Sequence, residues 1–265
     1  CNTDNLTKYK YFMMSNRQVA WFNFADNSTQ TVNYCDNNGV VAARKLAPYA
    51  KGYKGTITYK SSNTSLATVD ENTGVVTLNN NGKTGTVTIT ANATADTDLN
   101  YKATSDSYQI VIKAGMADFT LNPTRAAQLL AADGGTATWT AATNTLSIKN
   151  INYKAADGIS VLVRFPEGTI IDVQGSNTIR PADGATKVSC GMQFVADGII
   201  NGSGTLDISG DMSMGIQAAA GDLVINNASI INNIHNNVDT NEASSAAIWV
   251  GSNFTTNNSD ITVNY

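Results

Sequence analysis

The chain has 265 residues, enough for one large or two medium domains with a substantial core. Only 14% of the residues are charged and the formal net charge is −4, so the chain has no basic surface of the kind that nucleic acid requires. Thr, Asn, Ser and Gly are abundant, which favours strands and tight turns over helices. We therefore expect an all-β protein with no nucleic-acid partner.

The three cysteines are Cys1, Cys35 and Cys190, a spacing that fits neither a zinc site nor a disulfide framework. A cysteine followed by polar residues, as in CNTDN, is typical of the mature start of a bacterial lipoprotein, where the cysteine carries the lipid. We expect lipidation of Cys1, a tether or first strand over residues 1–27, and an outer-membrane anchor at the cell surface. The alternative is a sequence boundary that falls on a cysteine by chance. No segment approaches the ~20 apolar residues of a membrane helix, so membrane attachment would be through the lipid alone.

Several short segments between residues 55 and 113 alternate apolar and polar residues, among them TITYK, GTVTIT and SYQIVI. A period of two predicts half-buried strands. The segments ENTG at 71–74 and NNNG at 79–82 supply turn residues between them. Five or more short strands at this spacing predict a β-sandwich.

The stretch ITYKSSNTSLATVDENTGVVT, followed by GTVTITA and NYKATSDSYQIVI, resembles the bacterial Ig-like group 2 domain family. The similarity covers residues 28–113 and includes STQTVNY as the first strand. Because that family consists of spacer and adhesion modules without an active site, the resemblance implies that this domain projects another part of the protein from a cell surface. We expect the junction with that other part near residues 113–118, within KAGMADF.

A recurrent pattern follows this junction. The cassettes VQGSNTI, INGSGTL, INNASI and TNNSDI begin at residues 173, 200, 225 and 256. A second set, GISVL, GMQFV, GIQAA and AIWVG, begins at residues 158, 191, 215 and 247. Two strand signatures per repeat predict a right-handed parallel β-helix, a solenoid of stacked coils, over residues 114–265. The alternative is a chance period in a Gly- and Asn-rich β-protein. A short helix is compatible with TRAAQLLAAD, where Ala126 to Ala132 are good helix formers.

In such a coil alternate residues point inward. The expected core residues are Met192, Phe194, Ile216, Ala218, Ile248 and Val250. Their neighbours Gln193, Gln217 and Trp249 would then line up on the outer surface. A register change of one residue would reverse the direction of Trp249, so a buried ring is the alternative.

The stretch TATWTAATNTLSIKNINYK, followed by VRFPEGTIIDVQGSNTI and GIINGSGTLDISG, resembles the carbohydrate-binding domain family of bacterial surface proteins, whose β-helix is similar to that of pectate lyases. The similarity covers residues 114–265. It implies a non-catalytic module that binds polysaccharide or host glycan. The expected outer row of Gln193, Gln217 and Trp249 has suitable chemistry, because sugars stack on exposed rings and form hydrogen bonds with amides.

Two alternatives remain open, a polysaccharide lyase or hydrolase and a structural adhesin that recognises protein. A lyase usually needs an Arg or Lys base, and the chain has neither after Lys187, which leaves Arg164, Arg180 and Lys187 in the earlier repeats. The paired-Asp and Gly-His-Gly signature of polygalacturonases is absent. His235, the only histidine, is expected in an exposed loop without triad partners. We therefore expect no catalytic residues.

Acidic residues are frequent in the stretch that lacks Lys and Arg. They are Asp197, Asp207, Asp211, Asp222, Asp239, Glu242 and Asp260. Calcium binds carboxylates together with backbone and Asn carbonyl oxygens, although no EF-hand-like spacing occurs here. Asp207 and Asp211 flank a predicted corner and are the first candidates for a Ca²⁺ site. We expect no other cofactor.

Overall fold

The computed structural model describes residues 22–46, 53–96, 102–186, 188–235 and 245–264. The chain forms two compact units. The first contains the described residues up to Val32 together with Val40–Asn79 and Gly85–Ile112, and the second contains Asn33–Gly39, Asn80–Thr84 and the chain from Lys113 onward. Cys1, Lys187, Asp239 and Glu242 lie outside the described residues, so lipidation of Cys1 stays a prediction.

Seven strands belong to two small sheets. They are β1 (Gln30–Asn33), β2 (Val40–Val41), β3 (Ile57–Ser61), β4 (Ala67–Val69), β5 (Val76–Leu78), β6 (Gly85–Ala93) and β7 (Thr104–Lys113), and a 3₁₀ turn occupies Asp36–Gly39. One sheet has the order β1-β7-β6-β3 and the other the order β2-β5-β4. The predicted strands are present as β3, β6 and β7. Alternate burial is confirmed in β6 and in β7 from Tyr108 onward, whereas Ile57, Thr58 and Tyr59 of β3 are all half-buried.

Strands β4 and β5 form an antiparallel hairpin whose turn is stabilised by side-chain hydrogen bonds. The carboxylate of Asp70 accepts hydrogen bonds from the backbone N–H groups of Asn72 and Thr73 at 3.1 and 2.7 Å. The bond from the Thr73 backbone, with that from its hydroxyl, lowers the pKa of the Asp70 carboxyl. Gly74 has φ +73°, a conformation that glycine adopts without steric cost. The turn predicted at ENTG is confirmed.

The second unit contains one α-helix and sixteen strands among its described residues. The first elements are β8 (Ala117–Asp118), α1 (Pro123–Leu130), β9 (Thr136–Thr140), β10 (Thr145–Lys149), β11 (Asn152–Lys154), β12 (Val161–Phe165), β13 (Thr169–Gln174) and β14 (Ser176–Arg180). The others are β15 (Cys190–Phe194), β16 (Gly198–Gly202), β17 (Thr205–Asp211), β18 (Met214–Ala218), β19 (Leu223–Asn226), β20 (Ser229–His235), β21 (Ala246–Val250), β22 (Phe254–Asn257) and β23 (Asp260–Asn264).

These strands form three sheets. Sheet A has the order β22-β19-β16-β13-β10-β9, sheet B the order β11-β14-β17-β20-β23 and sheet C the order β21-β18-β15-β12-β8. The strand pairs are parallel except for β9 with β10. From β10 onward the chain visits sheets A, B and C in turn, so that from β13 onward each strand lies beside the strand three positions earlier. The protein is thus mostly β, with parallel sheets where the repeats were predicted.

The bend from sheet A to sheet B has the same backbone conformation in four of its five occurrences. Asn150, Gly175, Asn227 and Asn258 occupy this bend and have φ values of 55°, 66°, 58° and 48°. Glycine and asparagine are the residues that enter the left-handed region most readily. The repeated Gly and Asn of the sequence therefore serve the change of direction between sheets.

Sheet C aligns the predicted core residues. Met192 lies opposite Ile216, which lies opposite Ile248, and Phe194 lies opposite Ala218. The four from β15 and β18 are buried, whereas Ile248 and Val250 are half-buried. The reason is that β21 ends sheet C among the described strands. Rings of Phe119, Phe165 and Phe194 stack within this core at centroid distances of 4.9 and 5.3 Å.

Helix α1 begins with Asn122 as its N-cap, whose side-chain oxygen accepts a hydrogen bond from the backbone N–H of Arg125. Pro123 occupies the first helical position, where its missing N–H has no cost. The helix buries Ala126, Leu129 and Leu130. In the part of the chain that the structure describes, no helix has the length and apolar character to cross a membrane.

Candidate functional site

The outer surface of sheet C carries the side chains that the sequence singled out. Gln193 lies opposite Gln217, and Gln217 lies opposite Trp249, on three successive strands. Arg164 of β12 lies opposite Gln193 and extends the line by one strand. Adjacent strands are about 4.8 Å apart, so the four side chains form a regular ladder. We call Arg164, Gln193, Gln217 and Trp249 the outer row.

Trp249 is the aromatic member of the outer row. Its side chain lies on the outside of β21 and the residue is 43% exposed. The register of β21 with β18 places Ile248 and Val250 on the inner side, which leaves the indole outside. The indole is therefore partly exposed to solvent on the outer surface of sheet C.

The two glutamines are held in a defined orientation. Nε2 of Gln193 donates a hydrogen bond to Oε1 of Gln217 over 2.6 Å, and both residues are half-buried. A carboxamide has two N–H donors and two acceptor lone pairs, so this single bond leaves capacity on each group. The pair can present donors and acceptors to a ligand without first having to order two free side chains.

Arg164 is a member of the outer row that sequence reasoning did not place there. The cassette GISVL aligns Gly158 with Gly191, but the structure pairs Val161 with Cys190 and Val163 with Met192. The segment before β12 thus shifts the register of the first cassette. Nε of Arg164 is buried and has no hydrogen-bond partner among the described residues.

Asp207 and Asp211 lie on the same strand but are not brought together. Asp207 is in the middle of β17, opposite Thr178 and Ile231, whereas Asp211 is its last residue. Four residues of extended strand separate them by about 13 Å. Burial raises the pKa of the Asp207 carboxyl, and a hydrogen bond with Ser209 opposes this shift in part.

Asp207 and Asp211 therefore do not form a carboxylate pair that could bind one Ca²⁺ ion. Within the described ranges, no group of three or more His, Cys, Asp or Glu side chains is arranged to hold a metal ion. Ca²⁺ binding stays a prediction, and neither Asp207 nor Asp211 supports it alone.

A cavity of about 300 Å³ lies where β14, β17 and β20 end. We call it the corner cleft, and its lining residues are Arg180, Pro181, Ala182, Asp183, Gly184, Ala185, Ser209, Gly210, Asp211, Asn233 and His235. His235 is exposed, as expected, but it is the last residue of β20 rather than part of a loop. It lies opposite Asp211 in the adjacent strand.

The two described cysteines are buried and have no disulfide partner in that part of the chain. Burial raises the pKa of the Cys35 thiol to about 11 and that of the Cys190 thiol to about 12. Both are therefore un-ionised near neutral pH, and the thiolate is the nucleophilic form. Neither cysteine is poised for covalent chemistry.

Residues 44–96 match the family described as the intimin immunoglobulin-like domain. The match supports an Ig-like domain in this part of the chain and suggests an adhesin-like protein of a bacterial surface. The sequence resemblance named a different Ig-like family, the group 2 domains, so the fold type is supported and the finer assignment is not. Sheets A, B and C lie outside the matched residues. No curated protein matches the chain.

Proposed function

We propose that this chain is a bacterial cell-surface binding protein in which an Ig-like spacer carries a non-catalytic parallel β-helix that binds polysaccharide or host glycan. The observation that carries the proposal is the exposed ring of Trp249 in register with the bonded amides of Gln193 and Gln217. Ring and amides lie on one outer row, and these are the two kinds of group that sugars contact.

The β-helix part of this proposal rests on connectivity. The chain visits sheets A, B and C in a fixed order, and each strand pairs in parallel with the strand one repeat earlier. We infer a right-handed winding, because crossovers between parallel strands of one sheet are right-handed in nearly all proteins. Residues with positive φ recur at the bend between sheets A and B, which supports the view that successive coils are equivalent.

The outer row suits a polymer better than a single sugar. Its members repeat at about 4.8 Å along an open face, so each ligand unit is covered on one side only. Little area is buried per unit, which gives weak affinity for a short ligand. A longer chain engages more of the row at once, and the later contacts form at high effective concentration. Binding should therefore strengthen with chain length.

A polysaccharide and glycan array tests this function. Wild type and Trp249→Ala are applied at equal concentration, with Phe254→Ala as a matched control, because Phe254 is 45% exposed but lies on β22 of sheet A. We expect retention on at least one extended glycan by wild type and Phe254→Ala, with loss in Trp249→Ala. Absence of retention on all glycans would refute carbohydrate binding and favour an adhesin that recognises protein.

A further inference from the structure

The corner cleft is a second place where polar side chains converge, and it differs from the outer row in shape. It is bounded by the loop after β14 on one side and by the ends of β17 and β20 on the other. The loop belongs to one repeat and the two strand ends belong to the next two. A cavity of about 300 Å³ is near the lower limit for small-molecule sites.

Two ion pairs converge on one exposed carboxylate in the loop wall of the cleft. Asp183 accepts a hydrogen bond from Nζ of Lys154, and its other oxygen lies 3.5 Å from Nη1 of Arg180. A backbone hydrogen bond from Ala185 to Ala182 closes the loop at 3.1 Å. Lys154 and Arg180 lie opposite each other on β11 and β14, so the sheet itself sets their spacing.

The floor of the cleft depends on a glycine. Gly210 has φ +122°, a backbone conformation that residues with side chains rarely adopt. A Cβ atom at this position would lie 2.7 Å from Cδ of Pro181. The absence of a side chain therefore allows the Pro181 ring to approach the strand and form an apolar surface beside the polar groups.

The strand wall supplies paired polar groups in register. Ser209 lies opposite Asn233, and Asp211 lies opposite His235. Together they offer a hydroxyl, a carboxamide, a carboxylate and an imidazole within one cavity, which includes both donors and acceptors. Such a set matches a ligand whose own groups both donate and accept, as hydroxyl groups do.

The charges around the cleft decide the ligand class. Among the described residues at the cleft, Lys154 and Arg180 are basic and Asp183 and Asp211 are acidic. These described side chains are balanced in number, so among them a phosphate or a carboxylate finds no excess of positive charge. A neutral ligand with several hydroxyls and one apolar face fits both the charge balance and the Pro181 surface.

We propose that the corner cleft binds one neutral saccharide unit through Ser209, Asp211, Asn233 and His235, with Pro181 against the C–H face of the sugar. The inference deepens and rests on the proposed function, since it names the class of glycan and adds a site that recognises a single unit. Unlike the outer row, the cleft should bind a single sugar as well as it binds one unit of a polymer.

Nuclear magnetic resonance titration of the whole chain with methyl glycosides of glucose, galactose, mannose and N-acetylglucosamine tests the cleft. We expect at least one of them to shift the signals of Ser209, Asn233 and His235 saturably, with millimolar affinity. Asn233→Ala and Asp211→Asn should each weaken this binding about tenfold. The first removes a carboxamide from the cleft, and the second replaces a charged acceptor with a neutral group that forms weaker hydrogen bonds with sugar hydroxyls. Asp172→Asn is the control, because it replaces a carboxylate on the outside of β13 in sheet A, and it should leave glycoside binding unchanged.

The outcomes separate the cleft from the outer row. Monosaccharide binding that Asn233→Ala weakens and Trp249→Ala leaves unchanged supports the cleft, whatever the behaviour of polymers. Absence of a shift with all four glycosides overturns the cleft assignment, even where a polymer binds in a Trp249-dependent way. Shifts confined to the outer row, or unaffected by both cleft variants, overturn it equally.

Discussion

Gln193 and Gln217 are joined by a 2.6 Å hydrogen bond between side chains that are 24 residues apart in the sequence. The parallel register of β15 and β18 creates this contact, because it places equivalent outer positions directly beside each other. Sheet A shows the same effect, where Asn226 donates to Asn201 and Asn257 donates to Asn226, each at 2.8 Å. Outer amides of successive repeats are thus oriented by one another.

Removal of either glutamine should reduce glycan binding more than stability. Gln193→Ala and Gln217→Ala each remove the hydrogen bond between the two side-chain amides. Because one hydrogen bond contributes about 0.5–1.5 kcal/mol net, the free energy of unfolding should fall by about that amount in each variant. In binding, the double variant should lose less than the sum of the two single variants, since each single change already disorders its partner. Calorimetry on the four proteins measures this coupling. Strictly additive losses would contradict a shared, preorganised pair.

The stacked phenylalanines should carry much of the stability of the second unit. Phe194 is fully buried and its ring centroid lies 5.3 Å from that of Phe165. Phe194→Ala should lower the free energy of unfolding by about 3–5 kcal/mol, because the core cannot fill the space left by the ring. Urea denaturation measures the change. Phe254→Ala, at an exposed ring on β22, serves as the control and should cost less than about 1 kcal/mol; equal losses in the two variants would refute the core assignment.

Asp207→Asn should stabilise the protein near neutral pH. Burial raises the pKa of this carboxyl, so the folded state disfavours the charged form, and one carboxyl oxygen is buried without a partner among the described residues. The folded pKa lies above the unfolded value of about 3.8, so the ionised carboxylate destabilises the fold at pH values above the folded pKa. Below the unfolded value both states are protonated and the penalty disappears.

The measurement for Asp207 is the melting temperature as a function of pH. The advantage of Asp207→Asn over wild type should appear as the pH rises through the raised pKa and should vanish under acidic conditions. Asp172→Asn is the matched control on another sheet. A wild type that is more stable than Asp207→Asn at pH 7 would show that the carboxylate has a favourable partner, and Ca²⁺ would then be the first to test.

We expect no cleavage of polysaccharide by the chain. The outer row contains no pair of carboxylates, and in the corner cleft Asp183 is already paired with Lys154 and Arg180. A glycosidase needs two carboxyl groups that are free to act on opposite sides of the scissile bond. Assays for reducing ends and for unsaturated products should give the same signal as buffer with pectins, glucans and host glycans. Release above buffer that Asp211→Asn abolishes would establish an active site in the cleft.

The sequence predicted those features that depend on residue periodicity. Met192 and Ile216 follow the period of two within their strands and recur with the repeat, so both their burial and the outward position of Gln193 could be anticipated. The turn after Asp70 was also predictable, because Asn, Thr and Gly at successive positions strongly favour a tight turn.

Other features depend on spacing that the sequence does not display. Arg164 was missed because the segment before β12 shifts the first cassette out of register. The corner cleft was missed because it combines residues from three repeats, and because the loop after Arg180 turns back toward Lys154 through Asp183. The partial exposure of Ile248 and Val250 follows from their place on the last strand of sheet C, which alternation alone cannot show.

Glycan binding by the outer row is tested most directly by calorimetry with oligosaccharides of increasing length, taken from the glycan that the array identifies, on wild type, Trp249→Ala and Phe254→Ala. Wild-type affinity should rise with chain length as more of the outer row is engaged. Trp249→Ala should lose on the order of 1 kcal/mol or more of binding free energy while its thermal unfolding stays like that of wild type, and Phe254→Ala should bind normally. Affinity that is independent of chain length, or unchanged in Trp249→Ala, would contradict the proposal that this row binds an extended glycan.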